Sequence, residues 1–348
     1  MSDTDIEKTY DSMAEPFVSI VIVNFNGVHH LSECLRSIEG IEYQNYEVIL
    51  VDNASHDDSI AFVKNNFSRV KIFPLNENYG FAEGSNIGAS HAKGEYIVFL
   101  NNDTKVDTKW LSELVEVIRH DDSIATCGSK MFFYEGGIIN HAGGAITLLG
   151  NGFDIGFGQM DSEEFNDQRT VGYNCGGSMM VSKTIFNRLG GFDPDYFACF
   201  EDVDLCLRAW ISGYKNVYVP TSIVYHKYGA TFGNRYSANR VYGCQKNRLF
   251  NILKNFELAN IVKGICISVP YDFVRILSFL VHRELKIAFL LLKAYVRVLF
   301  ELKNISQKRK LIQKNRKVSD KILTKMGIFT PTKEGIKEFI RLNRLKYN

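Results

Sequence analysis

Two acidic stations, far apart in the chain, carry residue types able to do chemistry. Asp103 closes the run Val98-Phe-Leu-Asn-Asn-Asp103, after the most hydrophobic strand-like segment in the sequence. A carboxylate there can hold Mg2+ or Mn2+. It can equally cap the helix expected near Asp107 to Arg119. Glu201 and Asp202 are adjacent at an expected helix start. A helix N-terminus favours negative charge whatever the function, but in a pocket one of the pair can take a proton from a hydroxyl. Asp204 and Arg208, spaced i, i+4, suit a structural ion pair. His226 ends an apolar strand before Lys227-Tyr-Gly229 and reads as a satisfied structural histidine or a metal ligand. Asp52 sits where a strand meets a loop, fit to accept hydrogen bonds from a base or ribose, or to cap the turn through Asn53-Ala-Ser55.

The elements that must position these groups alternate between strand and helix. Val18-Ser-Ile-Val-Ile-Val23, Glu47-Val-Ile-Leu-Val-Asp52, Val70-Lys-Ile-Phe73 and Glu95-Tyr-Ile-Val-Phe-Leu100 are short apolar runs. Helical spacing lies between them, with Leu31, Leu35 and Ile38 after the first run and a Gly/Ala-rich stretch from Gly80 to Ala92 before the last. Such alternation predicts right-handed crossovers and an α/β fold, a mostly parallel central sheet with helices on both faces. Ligands then bind beyond the carboxyl ends of the strands, where Asn24, Asn26, Asp52 and Asn101-Asn-Asp103 collect. Residues 130–170 are glycine-rich and read as loops and short strands. Order returns at Asn174-Cys-Gly-Gly-Ser-Met-Met-Val181, a helix from Lys183 and a helical segment from Glu201 to about Ser212, followed by short strands at Val217-Tyr-Val219 and Ile223-Val-Tyr225.

The 348 residues have ordinary globular composition, 45% hydrophobic and 23% charged, which excludes disorder as the main state. The net charge of +2 hides an asymmetry. Residues 301–348 hold 14 Lys/Arg against 4 Asp/Glu, whereas residues 1–300 hold 27 against 35. A basic tail on an acidic body predicts a negatively charged partner. The seven cysteines are scattered without a CxxC pair, arguing against a disulfide framework or a zinc ribbon. Residues 1–16 read as a loose polar leader unlike a signal peptide, so the expected location is the reducing cytoplasm.

Beyond Gly243 long helices are expected. Between Pro270 and Asn304, Arg275, His282, Lys286, Lys293 and Arg297 lie, at about 100° per residue, on one helical stripe about 60° wide. Recurring basic residues argue against a membrane span. A wide apolar face with a basic stripe fits a helix lying in an anionic membrane interface, helped by Lys308-Arg-Lys310 and Lys314-Asn-Arg-Lys317; the alternative is a helix packed on protein.

Six motifs occur in an order that resembles family 2 glycosyltransferases, in particular the bacterial rhamnosyltransferase-like branch. They are Val18-Ser-Ile-Val-Ile-Val-Asn-Phe-Asn-Gly27, Val51-Asp-Asn-Ala-Ser55, Asn76-Glu-Asn-Tyr-Gly-Phe-Ala-Glu-Gly84, Phe99-Leu-Asn-Asn-Asp-Thr104, Gly190-Gly-Phe-Asp193 and Glu201-Asp-Val-Asp-Leu-Cys-Leu-Arg208. The resemblance covers about residues 17–250, continues weakly through Lys246-Asn-Arg-Leu249, and leaves 251–348 as a helical, basic extension. It implies a nucleotide-diphosphosugar transferase fold and inverting, divalent-metal-dependent transfer of one sugar to a hydroxyl. UDP or dTDP donors are implied, dTDP-rhamnose or a UDP-hexose foremost, with a glycan or glycolipid acceptor at the inner face of the cell membrane. In its terms Asp202 is the base with Glu201 beside it, and Asp103 with His226 holds the metal. Asn24, Asn26, Asp52, Asn78, Gly80, Asn86, Asn102 and Gly177 contact the donor.

Two departures bear on this. The acidic metal motif, often Asp-x-Asp, is Asn101-Asn102-Asp103 here, and the Gln-x-x-Arg-Trp signature of processive synthases is absent, the tryptophans being Trp110 and Trp210. The first keeps open a non-catalytic carbohydrate- or membrane-binding subunit; the second favours single-residue addition. Nucleic-acid binding through the tail lacks a motif and leaves the six motifs unexplained. A nucleotidyltransferase lacks its Gly-rich, Lys/Arg-bearing loop after the first strand. A homo-oligomer is compatible with the sequence.

Overall fold

Successive residues of a strand face opposite ways, and in the central strands of this protein both sets are apolar. The structure is a computed structural model describing residues 15–229, 237–331, 333–335 and 337; the expected leader lies almost wholly outside the described residues. Its first half runs β1 (Val18–Asn24), α1 (Val28–Glu39), β2 (Tyr46–Asp52), α2 (Ser59–Asn66), β3 (Val70–Pro74), α3 (Gly80–His91), β4 (Tyr96–Asn101), β5 (Thr104–Val106) and α4 (Trp110–Ile118). Val18, Ile20, Ile22, Val48, Leu50, Val98 and Leu100 pack in one core with Leu31 and Leu35 of α1 and Leu111 of α4. Val21, Ile49, Val51, Ile97 and Phe99 pack in another, with Ala82 and Ala89 of α3. A sheet buried on both faces is the result. The glycines of α3 serve this packing, since a Cβ on Gly88 would stand 2.4 Å from Val21 Cγ1.

β6 (Ile124–Phe133), β7 (Ile139–His141), β8 (Gly144–Thr147), β9 (Gly152–Asp154) and β10 (Arg169–Thr170) follow. Next come β11 (Ser178–Ser182), α5 (Lys183–Leu189), α6 (Glu201–Ile211) and β12 (Lys215–His226). The main sheet orders as β10-β12-β6-β11-β4-β1-β2-β3. β3, β2, β1 and β4 are mutually parallel, as are β6 and β12. Between these groups β11 runs antiparallel to both neighbours. The fold is thus α/β with a mostly parallel sheet, as expected. The two short strands expected near Val217 and Ile223 are one strand, whose register on β6 slips between Val219 and Ile223, around Pro220. The helix expected from Asp107 is shorter, because Thr104–Val106 first turns back as β5 to pair with Val224–His226. Asp103 is therefore no helix cap.

The rest is helical: α7 (Ala238–Asn255), α8 (Leu258–Val281), α9 (Leu285–Phe300), α10 (Leu302–Lys314) and α11 (Asp320–Lys325), then β13 (Phe329–Thr330), which pairs with β8. α7 runs unbroken through residue 250, so no structural break falls at the expected boundary. The single helix expected over 270–304 is corrected: α8 ends at Val281, α9 runs Leu285–Phe300 and α10 begins at Leu302. The first break falls at Arg283, which holds φ of +61°, while Pro270 lies inside α8. The five basic residues consequently share no stripe. Arg275 pairs with Asp272, Lys293 lies over the Tyr242 ring, and Arg297 pairs with Glu301. By length and composition α8 is long and apolar enough to cross a membrane, contrary to the sequence argument. One of its faces, however, with Gly264, Ser268 and Asp272, is buried, Arg248 of α7 bonding Ser268 and Asp272.

Of the tail's basic side chains, Lys308 finds a negatively charged partner on the protein's own body, Arg309 meets a backbone carbonyl and Arg316 pairs within the tail. Lys308 pairs with Asp193 (2.5 Å) and Asp195 (2.6 Å). Arg309 donates to the carbonyl oxygen of Phe256 (2.5 Å) and Arg316 pairs with Asp320 (3.0 Å). Lys308 and Arg309 therefore do not form the outward patch that Lys308-Arg-Lys310 suggested.

Candidate active site

At the carboxyl ends of β1, β2 and β4, three polar side chains form a chain. Asn102 Nδ2 donates to Asn24 Oδ1 (2.7 Å), and Asn24 Nδ2 donates to Asp52 Oδ1 (3.0 Å). Asp52 also accepts from the Ser55 hydroxyl (2.7 Å) and the Ser55 N–H (2.9 Å), so its carboxylate organises the turn it begins. Asn26, at φ of +52°, accepts from the His56 N–H (2.8 Å) and ties two loops together. Asn86 is committed elsewhere: its amide bonds the Phe192 N–H and carbonyl oxygen, both at 2.9 Å. Of the residues expected to contact a donor, Asn24, Asn26, Asp52 and Asn86 thus lie outside the cavity described next.

That cavity, about 430 Å³, is lined by Asn78, Gly80, Asn102, Asp103, Gly177, Glu201, Asp202 and His226 among others. Gly80 sits at φ of +81°, and a Cβ there would meet the Phe197 carbonyl oxygen at 2.4 Å. The Gly80 N–H is held by Asn78 Oδ1 (2.9 Å).

Strand β5 brings Asp103 to His226, because its register places Thr104 opposite His226. Asn140 Oδ1 can only accept, so the imidazole must donate from Nδ1 (2.9 Å). That leaves Nε2 facing Asp103 Oδ1 (3.3 Å), a buried oxygen without a hydrogen-bond partner, with the Asn101 amide nitrogen 3.4 Å from the same Nε2. Two acceptors converging in this way fit a divalent cation. No cluster of three His, Cys, Asp or Glu suited to a metal occurs among the described residues. These two ligands would leave the remaining coordination to substrate oxygens and water.

Asp202 lies in the first turn of α6. Its Oδ2 accepts from the Gly176 N–H (2.9 Å) and its Oδ1 from the Val203 N–H (2.7 Å). Burial pushes the carboxyl up to about 6, with Asp154 adding to the rise and the two N–H groups opposing it. Burial, with the Asp202 charge beside it, drives Glu201 well above the usual carboxylate range, and Glu201 Oε2 has no hydrogen-bond partner. The two neighbouring carboxyls thus differ in setting: Asp202 is held by two backbone N–H groups, whereas Glu201 is raised by burial and by the Asp202 charge.

The loop feeding α6 is strained: Phe197, Cys199 and Phe200 all hold positive φ, at +61°, +72° and +65°. Such residues cost of order 1–3 kcal/mol each and persist where the surroundings fix them. Asn247 of α7 provides the fixing, its Nδ2 donating to the carbonyl oxygens of Tyr196 (3.0 Å), Ala198 (2.9 Å) and Cys199 (2.6 Å).

Sequence reasoning missed a third group in the cavity. His141 Nε2 accepts from the Cys175 N–H (3.3 Å), so Nδ1 carries the proton and donates to Asp154 Oδ1 (2.7 Å). Tyr173 Oη donates to the same oxygen (2.8 Å). Burial alone would raise Asp154, but bonds from His141 and Tyr173 hold it below the usual range. His141 and Asp154 come from the glycine-rich segment read as loops. The one available signal was a His and an Asp ending two short apolar pieces, Ile139-Asn-His141 and Gly152-Phe-Asp154.

Residues 19–190 match the family model Glycosyl transferase family 2. The uncharacterized protein y4gI of Sinorhizobium fredii is 27% identical over 63% of this chain and 25% of its own length. The N-acetylglucosaminyl-diphospho-decaprenol L-rhamnosyltransferase of Mycobacterium tuberculosis is 24% identical over 60% of this chain and 75% of its own length. Among solved structures, GalNAc-T7 with UDP, GalNAc and Mn2+ superposes with a TM-score of 0.60 at 20% identity, over 73% of this chain and 50% of that one. The chain thus spans only a quarter of y4gI and half of GalNAc-T7.

Proposed function

Because this chain belongs to glycosyl transferase family 2, we propose that it transfers one sugar from a nucleotide-diphosphosugar to an acceptor hydroxyl, with inversion and without processive elongation. The observation that carries this reading is one cavity holding both Asp202, its carboxylate fixed by two backbone N–H groups, and the convergent Asp103–His226 pair. In the transfer the acceptor oxygen bonds to the anomeric carbon, and its proton passes to Asp202. The bond from that carbon to the β-phosphate oxygen breaks, the electron pair leaving with the nucleoside diphosphate. Asp103 and His226 would hold a Mn2+ or Mg2+ ion, which when bound offsets the charge on the departing diphosphate. Glu201, raised by burial and by the Asp202 charge, favours ionisation of its neighbour over its own. A dTDP-rhamnose donor and a lipid-diphosphate-linked acceptor are favoured by the Mycobacterium tuberculosis relative, and a UDP-hexose stands next.

The test is nucleoside diphosphate release from a panel of UDP-, dTDP- and GDP-sugars, with Mn2+ or with EDTA. Release from one donor that EDTA lowers at least about tenfold is the expected result. Silence across the panel, with no thermal stabilisation by any nucleotide, would leave a non-catalytic binding subunit as the better reading.

The protein would work on the cytoplasmic surface of a membrane, docked through the outer face of α8 and α9 rather than through a basic stripe. Phe273, Phe289 and Phe300 are 60%, 64% and 82% exposed there, with Val274, Leu277, Leu292 and Leu299 also exposed. An apolar face of this kind seats in the headgroup boundary. Flotation with anionic vesicles should recover the protein with lipid, and serine at all three phenylalanines should reduce recovery severalfold. Equal recovery of both proteins would exclude this docking mode.

A further inference from the structure

The cavity is rich in carboxylates, with Asp103, Asp154, Glu201 and Asp202 on its wall. Among the described residues a single Lys or Arg side chain lines it: Arg240. Resting on the transferase reading above, we propose that Arg240 is a diphosphate clamp that holds the departing nucleoside diphosphate through its phosphate oxygens.

The geometry places Arg240 beside the metal-binding pair. It stands on the first turn of α7, its N–H donating to the capping Ser237 hydroxyl (3.4 Å). Its guanidinium lies 4.9 Å from the centre of the Tyr228 ring and donates to the Tyr228 hydroxyl. Tyr228 follows His226 by two residues, and the two rings stand 6.0 Å apart and nearly perpendicular. The guanidinium has five N–H groups in a planar fork, and no carboxylate lies within ion-pair distance of it among the described residues. A cation whose hydrogen-bond partner among the described residues is a neutral hydroxyl, with Asp154 acting on it only through space, is suited to an anion supplied by the ligand.

Charge arithmetic gives the same assignment. A nucleoside diphosphate carries about three negative charges. A divalent cation beside Asp103 leaves a net charge of about +1 at that site, because Asn101 and Asn102 stand where a further carboxylate is often found. The remaining negative charge needs a second cation, and a fork that bonds two phosphate oxygens at once is the better fit for it.

The experiment is a calorimetric titration of UDP, dTDP and GDP, and of the matching monophosphates, into the full chain with Mn2+. It compares wild type with Arg240→Gln and Arg240→Lys. Arg240→Gln should bind the preferred diphosphate roughly 10- to 100-fold more weakly, the weight of a charge-assisted bond. Its affinity for the monophosphate should stay within about threefold, and Arg240→Lys should fall between. A diphosphate affinity in Arg240→Gln equal to wild type would overturn the proposal. If the KM for a lipid-diphosphate acceptor rose in that same variant, the clamp would belong to the acceptor instead. Should Arg240→Gln lose its melting transition, the diphosphate-to-monophosphate ratio of Arg240→Lys decides, and an unchanged ratio overturns the proposal. A wild-type protein that binds no nucleotide sinks the transferase reading itself, and the clamp with it. A wild type that binds while the variants bind equally sinks the clamp alone.

Discussion

Replacing Asp202 by asparagine lowers turnover by roughly 10²- to 10⁴-fold and leaves nucleoside diphosphate binding at the wild-type level. The substitution keeps the side chain's shape and one of its two acceptor oxygens, so one of the Gly176 and Val203 N–H groups keeps its bond while the other faces the new amide NH2. What disappears is the site that accepts the acceptor's proton. The pH profile supplies an independent readout. A base works in its deprotonated form, and burial has pushed Asp202 up to about 6. Wild-type turnover therefore falls as pH drops through about 6 and levels off above it. Asp202→Asn should lack that acid limb. A variant keeping more than about a tenth of wild-type turnover, or the same acid limb, would move the proton acceptor elsewhere. Lost nucleotide binding would assign Asp202 to the donor side.

Exchanging Lys254 for methionine should destabilise the fold by about 3–5 kcal/mol, a large part of an ordinary domain's stability. Lys254 is buried, its Nζ 2.5 Å from Asp193 Oδ2 and 2.8 Å from Asp204 Oδ1, over the Tyr196 ring. Methionine keeps the stem's packing and removes only the charge, leaving two buried carboxylates less compensated. Burial alone would raise Asp193, but Lys254 and Lys308 hold it well below the usual carboxylate range. Arg208 on Asp204 and Lys308 on Asp193 persist in the variant, which sets the loss toward the lower end of the range. Urea midpoints with an unchanged slope would measure it. A change under about 1 kcal/mol would mean that the network bears little of the fold's stability.

The sheet was legible because β1, β2 and β4 are short apolar runs, and such runs alternating with helical spacing admit few topologies. The stations at Asp103, Glu201, Asp202 and His226 were legible because a polar residue closing an apolar strand, or an acidic pair opening a helix, stands out locally. His141 and Asp154 were not, because their meeting depends on the antiparallel pairing of Gly144 with Asp154 inside a glycine-rich segment. Arg240 was hidden because nothing local in its helix marks it as the cation of a distant cavity. The basic tail misled for a related reason: composition counts charges but does not reveal that Lys308 and Arg309 point inward. The break at Arg283 carries no Gly or Pro, whereas Pro270, the usual breaker, breaks nothing.

The pairing of Phe329–Thr330 with Ile146–Thr147 has a consequence for biosynthesis. A ribosome adds roughly 5–20 residues per second. The β8 edge and the Asp193 carboxylate therefore leave the exit tunnel before β13 and Lys254, their partners, are made. Thr147 waits on the order of 10–40 s for Thr330 at that rate, so the β8 edge is the last of these surfaces to meet its partner. Until Phe329–Thr330 is made, that edge can be covered only by something other than its native partner.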